Sequence, residues 1–398
     1  MLFSNCQLFI EILLFVFLFV VCKWLFKKEW LNHILILAGN ILILTNITTP
    51  KSLFWLSLLA LLVYGEGLLL HFHKKGWILA TFLTLLIAVF AVRNYQLVQS
   101  WFGNTWNNGM SKHFLNIEKI GLSYILFRMI HWLVESYKHT IRSRNFLCYL
   151  NYLFFFPTFM AGPIDTLNNF HYWVGHTHVK FNARMLMAGI GRIFFGAVKL
   201  LLIIPYIKPY AIDYQTLVSS LGAWGAVCST AVLYSLYIYI DFSAYCDTAI
   251  GMAYMMGIRT PENFDNPYFS TNISDFWKRW HITFSTFLRI YVFKPFISFL
   301  NRFPIAKYRM VVSVIAYMVT FFVCGIWHGS TLNFVFWGLW HGVGLSVYKL
   351  ITYGKPVQPL TKTRKVLGIC VTFVFVTIGW IFFNYPVDEL LILFKLLF

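Results

Sequence analysis

Three histidines in this chain each follow a tryptophan directly, as Trp280-His281, Trp327-His328 and Trp340-His341. The last two belong to a Trp-His-Gly triplet that recurs in Gly325-Ile326-Trp327-His328-Gly329 and Trp337-Gly338-Leu339-Trp340-His341-Gly342. A neutral imidazole near pH 7 can take the proton of a hydroxyl as that hydroxyl attacks an acyl carbon, and an apolar surround keeps the base uncharged and water scarce. Set against this is the plain role of a buried histidine as a hydrogen bonder between helices. Metal binding is the competing chemistry, but no H-x-x-x-H and no histidine–carboxylate cluster occurs at ligand spacing. His171, His176 and His178 form the only dense histidine group and have no nearby cysteine, and no carboxylate except Asp165. No metal is expected. G-x-S-x-G, Walker and dinucleotide glycine patterns are absent, which leaves a serine nucleophile and a tightly bound cofactor without support.

Ionisable groups inside apolar runs are costly and therefore candidates for function. Besides the three histidines they are Glu66, Arg128, His131, Glu135, Asp241 and Asp247. Arg128, His131 and Glu135 lie on one helix near a basic loop and can pair or snorkel locally. Asp241 precedes Phe242-Ser243-Ala244-Tyr245, which suggests a broken helix with a polar interior, or else an acceptor for a neighbouring helix.

The element that must position His281 begins with polar turn material, Arg259 to Pro267, where two prolines and several Asx residues forbid a continuous helix. Capping residues follow in Ser270-Thr271-Asn272-Ile273-Ser274-Asp275. The spacing of Trp277, Trp280, Phe284, Leu288 and Tyr291 then predicts one amphipathic helix at a membrane interface or cavity wall, with His281 on its apolar stripe.

Composition decides the class. Of 398 residues, 59% are hydrophobic, 20% aromatic and 12% charged, against about 25% charged in an ordinary soluble domain. A soluble enzyme is excluded. Lys and Arg number 32 against 14 Asp and Glu, net +18; without a basic tail this marks cytoplasmic loops and anionic lipid contacts, not nucleic acid. The 7 cysteines are scattered through apolar runs and read as core residues. Apolar runs of membrane-crossing length, about 17–25 residues, fall near 7–26, 31–48, 52–72, 77–95, 119–137, 147–163, 184–206, 216–240, 242–257, 309–327, 332–351 and 364–384. Lys23, Lys27 and Lys28 after the first run place its end in the cytoplasm and Met1 outside. Polar stretches near 104–119 and 165–184 leave no room for a soluble domain. The expectation is one all-α, polytopic integral membrane domain over residues 1–398.

Asn263 to Pro295 reads N-F-D-N-P-Y-F-S-T-N-I-S-D-F-W-K-R-W-H-I-T-F-S-T-F-L-R-I-Y-V-F-K-P, and Gly325 to Gly342 reads G-I-W-H-G-S-T-L-N-F-V-F-W-G-L-W-H-G. With Gly121-Leu122-Ser123-Tyr124, Phe127-Arg128 and Pro157 to Asp165, these resemble the membrane-bound O-acyltransferase (MBOAT) family, in its bacterial branch of teichoic-acid D-alanyltransferases and alginate and peptidoglycan O-acetyltransferases. The likeness runs from about residue 120 to the C-terminus. It implies a ring of tilted transmembrane helices around a central tunnel, with short re-entrant or interfacial helices, in the bacterial cytoplasmic (inner) membrane. It implies His328 as the catalytic histidine, acting as general base, and His281 as its partner. Trp280 and Trp327 would wall the tunnel, with Asn266, Asp275, Asp241 and His341 as further substrate or tunnel residues. The donor would be a cytoplasmic thioester, on a phosphopantetheinyl carrier protein or as acyl-CoA, and no cofactor would be bound tightly. The acceptor would be hydroxyls of an envelope polymer, teichoic acid or exopolysaccharide/peptidoglycan, with a separate partner acyltransferase on the outer side to complete the pathway. Gly-Pro-Ile-Asp favours the D-alanyl branch, while Trp-Lys-Arg-Trp-His favours the acetyl branch. The rival class is a transporter or flippase of an envelope precursor, which often shows two related halves; no such duplication is present.

Overall fold

The structure, a computed structural model, describes residues 6–26, 28–94, 121–180, 182–355, 359 and 361–397. Met1, Lys27 and the polar stretch at 104–119 lie outside them. The described residues form helices and turns without a strand. In order they are α1 (Cys6–Phe26), α2 (Glu29–Ile47), α3 (Pro50–Phe72), α4 (Gly76–Asn94), α5 (Leu122–Tyr137), α6 (Phe146–Leu153), α7 (Leu167–Lys180), α8 (Ala183–Val198), α9 (Ile204–Ile212), α10 (Gln215–Met255), α11 (Ile273–Arg279), α12 (Ile282–Leu288), α13 (Lys294–Leu300), α14 (Arg309–His328), α15 (Leu332–Thr352), α16 (Lys362–Asn384) and α17 (Val387–Leu397).

Among the described residues, eight helical segments are long and apolar enough to cross a membrane: Gln7–Phe26, Trp30–Ile47, Pro50–Phe72, Ala183–Ile212, Gln215–Met255, Arg309–His328, Leu332–Thr352 and Lys362–Asn384. The protein is an all-α, multi-pass membrane protein. Four expected spans resolve otherwise. Residues 216–240 and 242–257 are one helix, α10, which stays helical through Asp241 and kinks at Gly222 (φ 67°) instead. The expected break at Asp241 is absent because an ionisable side chain does not by itself interrupt the backbone ladder. α5 has 16 residues. The run 147–163 is an eight-residue helix followed by turns through Pro157, Gly162 and Pro163.

The chain divides into two compact units, Met1–Gly196 with Tyr245–Pro261, and Ala197–Ala244 with Glu262–Phe398. The first is organised around buried polar residues that satisfy helix ends. Arg128 on α5, 2% exposed, donates from Nη1 to the carbonyls of Tyr152 and Leu153 at 2.6 and 3.2 Å and from Nη2 to Thr158 Oγ1 at 2.6 Å. These carbonyls end α6, where no further turn exists to receive them, so the guanidinium is what lets the apolar run stop inside the protein. Glu135 pairs locally, meeting Lys138 at 3.3 Å, and His131 Nε2 accepts from the Leu167 N–H at the start of α7. Lys23, read as a flanking cytoplasmic charge, is buried and donates to the Met256 carbonyl just beyond α10. Asp247 pairs with Arg192 at 3.1 Å. Trp132 reaches Val63 O at 3.0 Å across Gly67, where any Cβ would collide with the indole.

In the second unit, α14 and α15 form a hairpin closed by Gly329-Ser330-Thr331. A Cβ on Gly338 would meet the Phe321 carbonyl and the Gly325 backbone, and one on Gly325 the Phe334 carbonyl. The glycines of the two Trp-His-Gly regions thus bring two helix backbones into contact.

Replacing Arg128 by Met strands two carbonyls and a hydroxyl. Thermal unfolding in detergent is expected to show a loss of at least about 2 kcal/mol, with partial recovery in Arg128→Lys; an unchanged unfolding temperature would contradict this capping role.

Candidate active site

The amphipathic helix expected through His281 is broken there. α11 starts on an Asn272 cap, whose side chain accepts from Asp275 N at 2.9 Å, and ends at Arg279. Trp280 is extended (φ −95°, ψ 127°) and His281 is left-handed (φ 42°, ψ 55°), after which α12 begins. A non-glycine residue at positive φ costs about 1–2 kcal/mol and needs an over-determined surround. The preceding loop supplies it. Asp265 N–H donates to the Arg279 carbonyl at 3.0 Å and Ile282 N–H to the Asn263 carbonyl at 2.9 Å, so backbone groups freed by the break are taken up by residues 263–265.

Asn263, 1% exposed, also determines the state of the histidine. Its Oδ1 accepts from Thr283 N at 3.3 Å and Thr283 Oγ1 at 2.7 Å, and His281 Nδ1 lies 3.2 Å from the same atom. A backbone N–H can only donate, so the atom facing it is the oxygen, and His281 Nδ1 must carry the proton. Nε2 is left as the acceptor nitrogen. Burial, with the His328 imidazole as the second cause, pushes His281 well below the ordinary imidazole range.

The structure brings all three tryptophan-linked imidazoles into one row within the second unit. Phe284 lies between His281 and His328, with ring centroids 5.0 and 6.1 Å away. Trp337 lies between His328 and His341, at 4.8 and 5.1 Å. His328 ends α14 on Gly329, is half-buried, and makes no hydrogen bond among the described residues. His341 is fully buried and both its nitrogens lack a partner. Trp327 touches Phe284 at 4.4 Å and His328 at 4.5 Å. Trp280 packs on Phe264 and on Trp380 of α16, at 5.1 and 5.0 Å.

Other expected site residues stand apart from this row. Asp275 accepts from Arg279 Nε at 3.1 Å and from Thr271 N, and so serves the first turn of α11. Asn266 is an exposed left-handed turn residue (φ 44°) bonded to Asp265. Asp241 has no hydrogen bond or ion pair with the imidazoles; its neighbours Tyr239 and Phe242 make the contacts, to Trp280 and His281 at 6.2 and 4.7 Å. Trp340 turns to Phe375, donating to its carbonyl. In the dense histidine group, His171 faces Cys148 and His176 bonds the Tyr172 carbonyl, while the side chain of His178 is outside the described ones.

The sequence profile of the membrane-bound O-acyltransferase family matches residues 75–387. The chain belongs to that family. It is 33% identical over 285 residues to the teichoic acid D-alanyltransferase of Bacillus subtilis, covering 67% of this chain and 69% of that one. It is 29% identical over 348 residues to the peptidoglycan O-acetyltransferase of Helicobacter pylori, covering 78% and 62%. It is 32% identical over 277 residues to a probable alginate O-acetylase of Pseudomonas syringae, covering 67% and 48%. The chain thus spans less than two thirds of the length of the second and third of these relatives.

For this MBOAT chain the residues that spacing alone missed are Asn263, Trp380 and Phe383, the last 5.1 Å from His328, while spacing marks Phe284 only as part of an apolar stripe. Asn263 had one signal, its place at the head of the Asn-Phe-Asp-Asn-Pro turn. The α16 residues had none, since their indole and phenyl rings look like any core of an apolar helix.

An imidazole held neutral binds no proton when the unfolded one does. Below about pH 6.5, stability is therefore expected to fall as pH falls, by at most about 1.4 kcal/mol per pH unit for each such group. Unfolding curves of His281→Gln at pH 5 to 7.5 should show a shallower acid limb than the parent; parallel limbs would mean that His281 is not held neutral.

Proposed function

We propose that this protein is an O-acyltransferase of the bacterial cytoplasmic membrane that moves a D-alanyl or acetyl group from a cytoplasmic thioester, carried by a phosphopantetheinyl protein or by coenzyme A, to hydroxyls of an envelope polymer. The observation that carries the reading is the pair of imidazoles flanking Phe284, one fixed in its tautomer by Asn263 and the other unbonded at a helix end.

In the proposed reaction His328 takes the proton of the acceptor hydroxyl as its oxygen attacks the thioester carbonyl carbon. The carbon–sulfur bond breaks, and the thiolate leaves with the proton returned by the imidazolium. His281, through Nε2, orients the acceptor hydroxyl or the donor carbonyl, and Asn263 is its positioning residue. Trp280, Trp327 and Trp337 keep water away, which protects the thioester from hydrolysis. His341 and Asp241 are proposed as further tunnel residues, and Asp275 and Asn266 as supports of α11 and of the turn that leads to it. The acceptor polymer is teichoic acid or an exopolysaccharide or peptidoglycan, and a partner acyltransferase outside the membrane would complete the transfer.

Mild alkaline release of ester-linked groups from envelope polymers tests this. Cells with His328→Ala, or with no copy, are expected to lose either D-alanine or acetate relative to cells with the intact chain, and the lost group names the donor. Asn263→Leu should lower transfer about 10- to 100-fold with little change in KM, by analogy with partners that orient imidazole ligands. Unchanged levels of both esters in the deletion would sink the acyl-transfer reading and favour an envelope-precursor transporter.

A further inference from the structure

Two basic segments of the first unit meet where α3 and α5 end. α3 stops at Phe72 and is followed by His73-Lys74-Lys75 before α4. α5 stops at Tyr137 and is followed by Lys138-His139 and, on the same loop, by Arg142 and Arg144 before α6. Three side-chain contacts cross between the segments. His139 Nδ1 lies 3.3 Å from His71 Nδ1, a hydrogen bond whenever one of the two nitrogens carries a proton and the other does not. The Arg144 guanidinium lies over the Phe72 ring, 5.8 Å from its centroid, and the Lys74 ammonium over the Tyr137 ring at 6.0 Å. Tyr64 of α3 also donates from its hydroxyl to the Arg144 carbonyl at 2.7 Å. His139 holds a left-handed backbone (φ 58°), which a non-glycine residue keeps only where its surroundings over-determine it. The fold thus gathers cations that are about 70 residues apart in the chain onto one end of the unit.

The charge at this end is one-sided. Glu135 is engaged by Lys138 at 3.3 Å and by the Thr140 hydroxyl. Lys74, Lys75, Arg142 and Arg144 are exposed, and none of them pairs with an Asp or Glu among the described residues. A cation lying on an aromatic face keeps N–H donors free for a second partner, and Arg and Lys donors match the oxygens of a phosphate. Depth selects the kind of phosphate. α3 crosses the membrane with 23 residues, about 35 Å of helix against a hydrocarbon layer about 30 Å thick, so residues 73–75 stand at the level of lipid headgroups. Phe72 and Trp77, which flank them in the chain, are 69% and 68% exposed, large rings that suit the boundary of headgroup and acyl chain. A free phosphate would use the cations and leave these rings in water, whereas a lipid uses both. We propose that this end of the first unit seats the headgroup of an anionic phospholipid. Lys74 and Arg144 hold its phosphate, Lys75 and Arg142 add to the field, and Phe72 and Trp77 lie against the start of its acyl chains.

The test counts bound lipid by native mass spectrometry on the purified full chain in detergent, titrated with phosphatidylglycerol and with phosphatidylcholine. The intact chain is expected to hold phosphatidylglycerol about tenfold or more tightly, at about fivefold per engaged cation. Lys74→Gln/Arg144→Gln, at an unchanged unfolding temperature, should lose most of that preference, and Lys74→Arg/Arg144→Lys should keep it. Lys362→Gln/Lys365→Gln removes the same charge from the exposed start of α16 and should leave the preference as it is. Equal loss in the two glutamine variants would mean diffuse attraction of lipid to a basic protein and would overturn the seat. So would the lack of any preference in the intact chain, or a preference that survives the loss of Lys74 and Arg144. Displacement of phosphatidylglycerol by glycerol 3-phosphate at a comparable concentration would replace the lipid by a soluble phosphate. An acidic phosphopantetheinyl carrier protein that binds the intact chain and not the Lys74→Gln/Arg144→Gln variant, without any preference among the lipids, would give the surface to a protein and sink the proposal.

Discussion

A backbone amide or carbonyl freed within a membrane protein has no water to turn to, and the helix breaks in this chain are built around that shortage. At the end of α6 a buried guanidinium takes up two carbonyls and a threonine hydroxyl. At the junction of α11 and α12 the loop 263–265 takes up a carbonyl and an N–H. In the first case the result is structural, a polar anchor in an aromatic core. In the second, the residue at the break is a histidine, and the loop that satisfies the backbone on either side of it also fixes its ring.

The strain at His281 and the bond to Asn263 are two sides of one arrangement. A left-handed residue places its side chain where a helical one could not, and the hydrogen-bonded asparagine holds it there. His328 is placed differently. It is the last residue of a long helix whose partner helix approaches within backbone contact through Gly325 and Gly338, so its position follows from packing and not from a polar bond. One imidazole is oriented by hydrogen bonding and the other is left open, which is the asymmetry expected of a positioning group beside a proton acceptor.

The aromatic rings give the row its continuity. Phe284 and Trp337 alternate with the three imidazoles, and Trp380 stacks on Trp337 at 5.9 Å with an interplanar angle of 22°. Rings of this size exclude water and hold geometry with few rotatable bonds.

Composition and apolar run length by themselves determined that the chain is helical and crosses a membrane, because the solvent demands it of any backbone. The Trp-His pairs mark His281, His328 and His341 as candidates, and it is the family resemblance, not their spacing, that makes His281 and His328 partners. Tertiary structure alone decided the rest. Whether an apolar run crosses or stops depends on a distant partner such as Arg128 for its final carbonyls, and no local pattern encodes that partner. The three- and four-residue spacing of Trp277, Trp280, Phe284 and Leu288 reads as one helix, yet the chain turns at His281 because the loop at Asn263 compensates the broken bonds. Asp275 and Asn266 carried polar groups in a suggestive stretch, but capping and turn geometry consumed them. Local propensity sets which bonds a residue can make; the fold sets which of them are already taken.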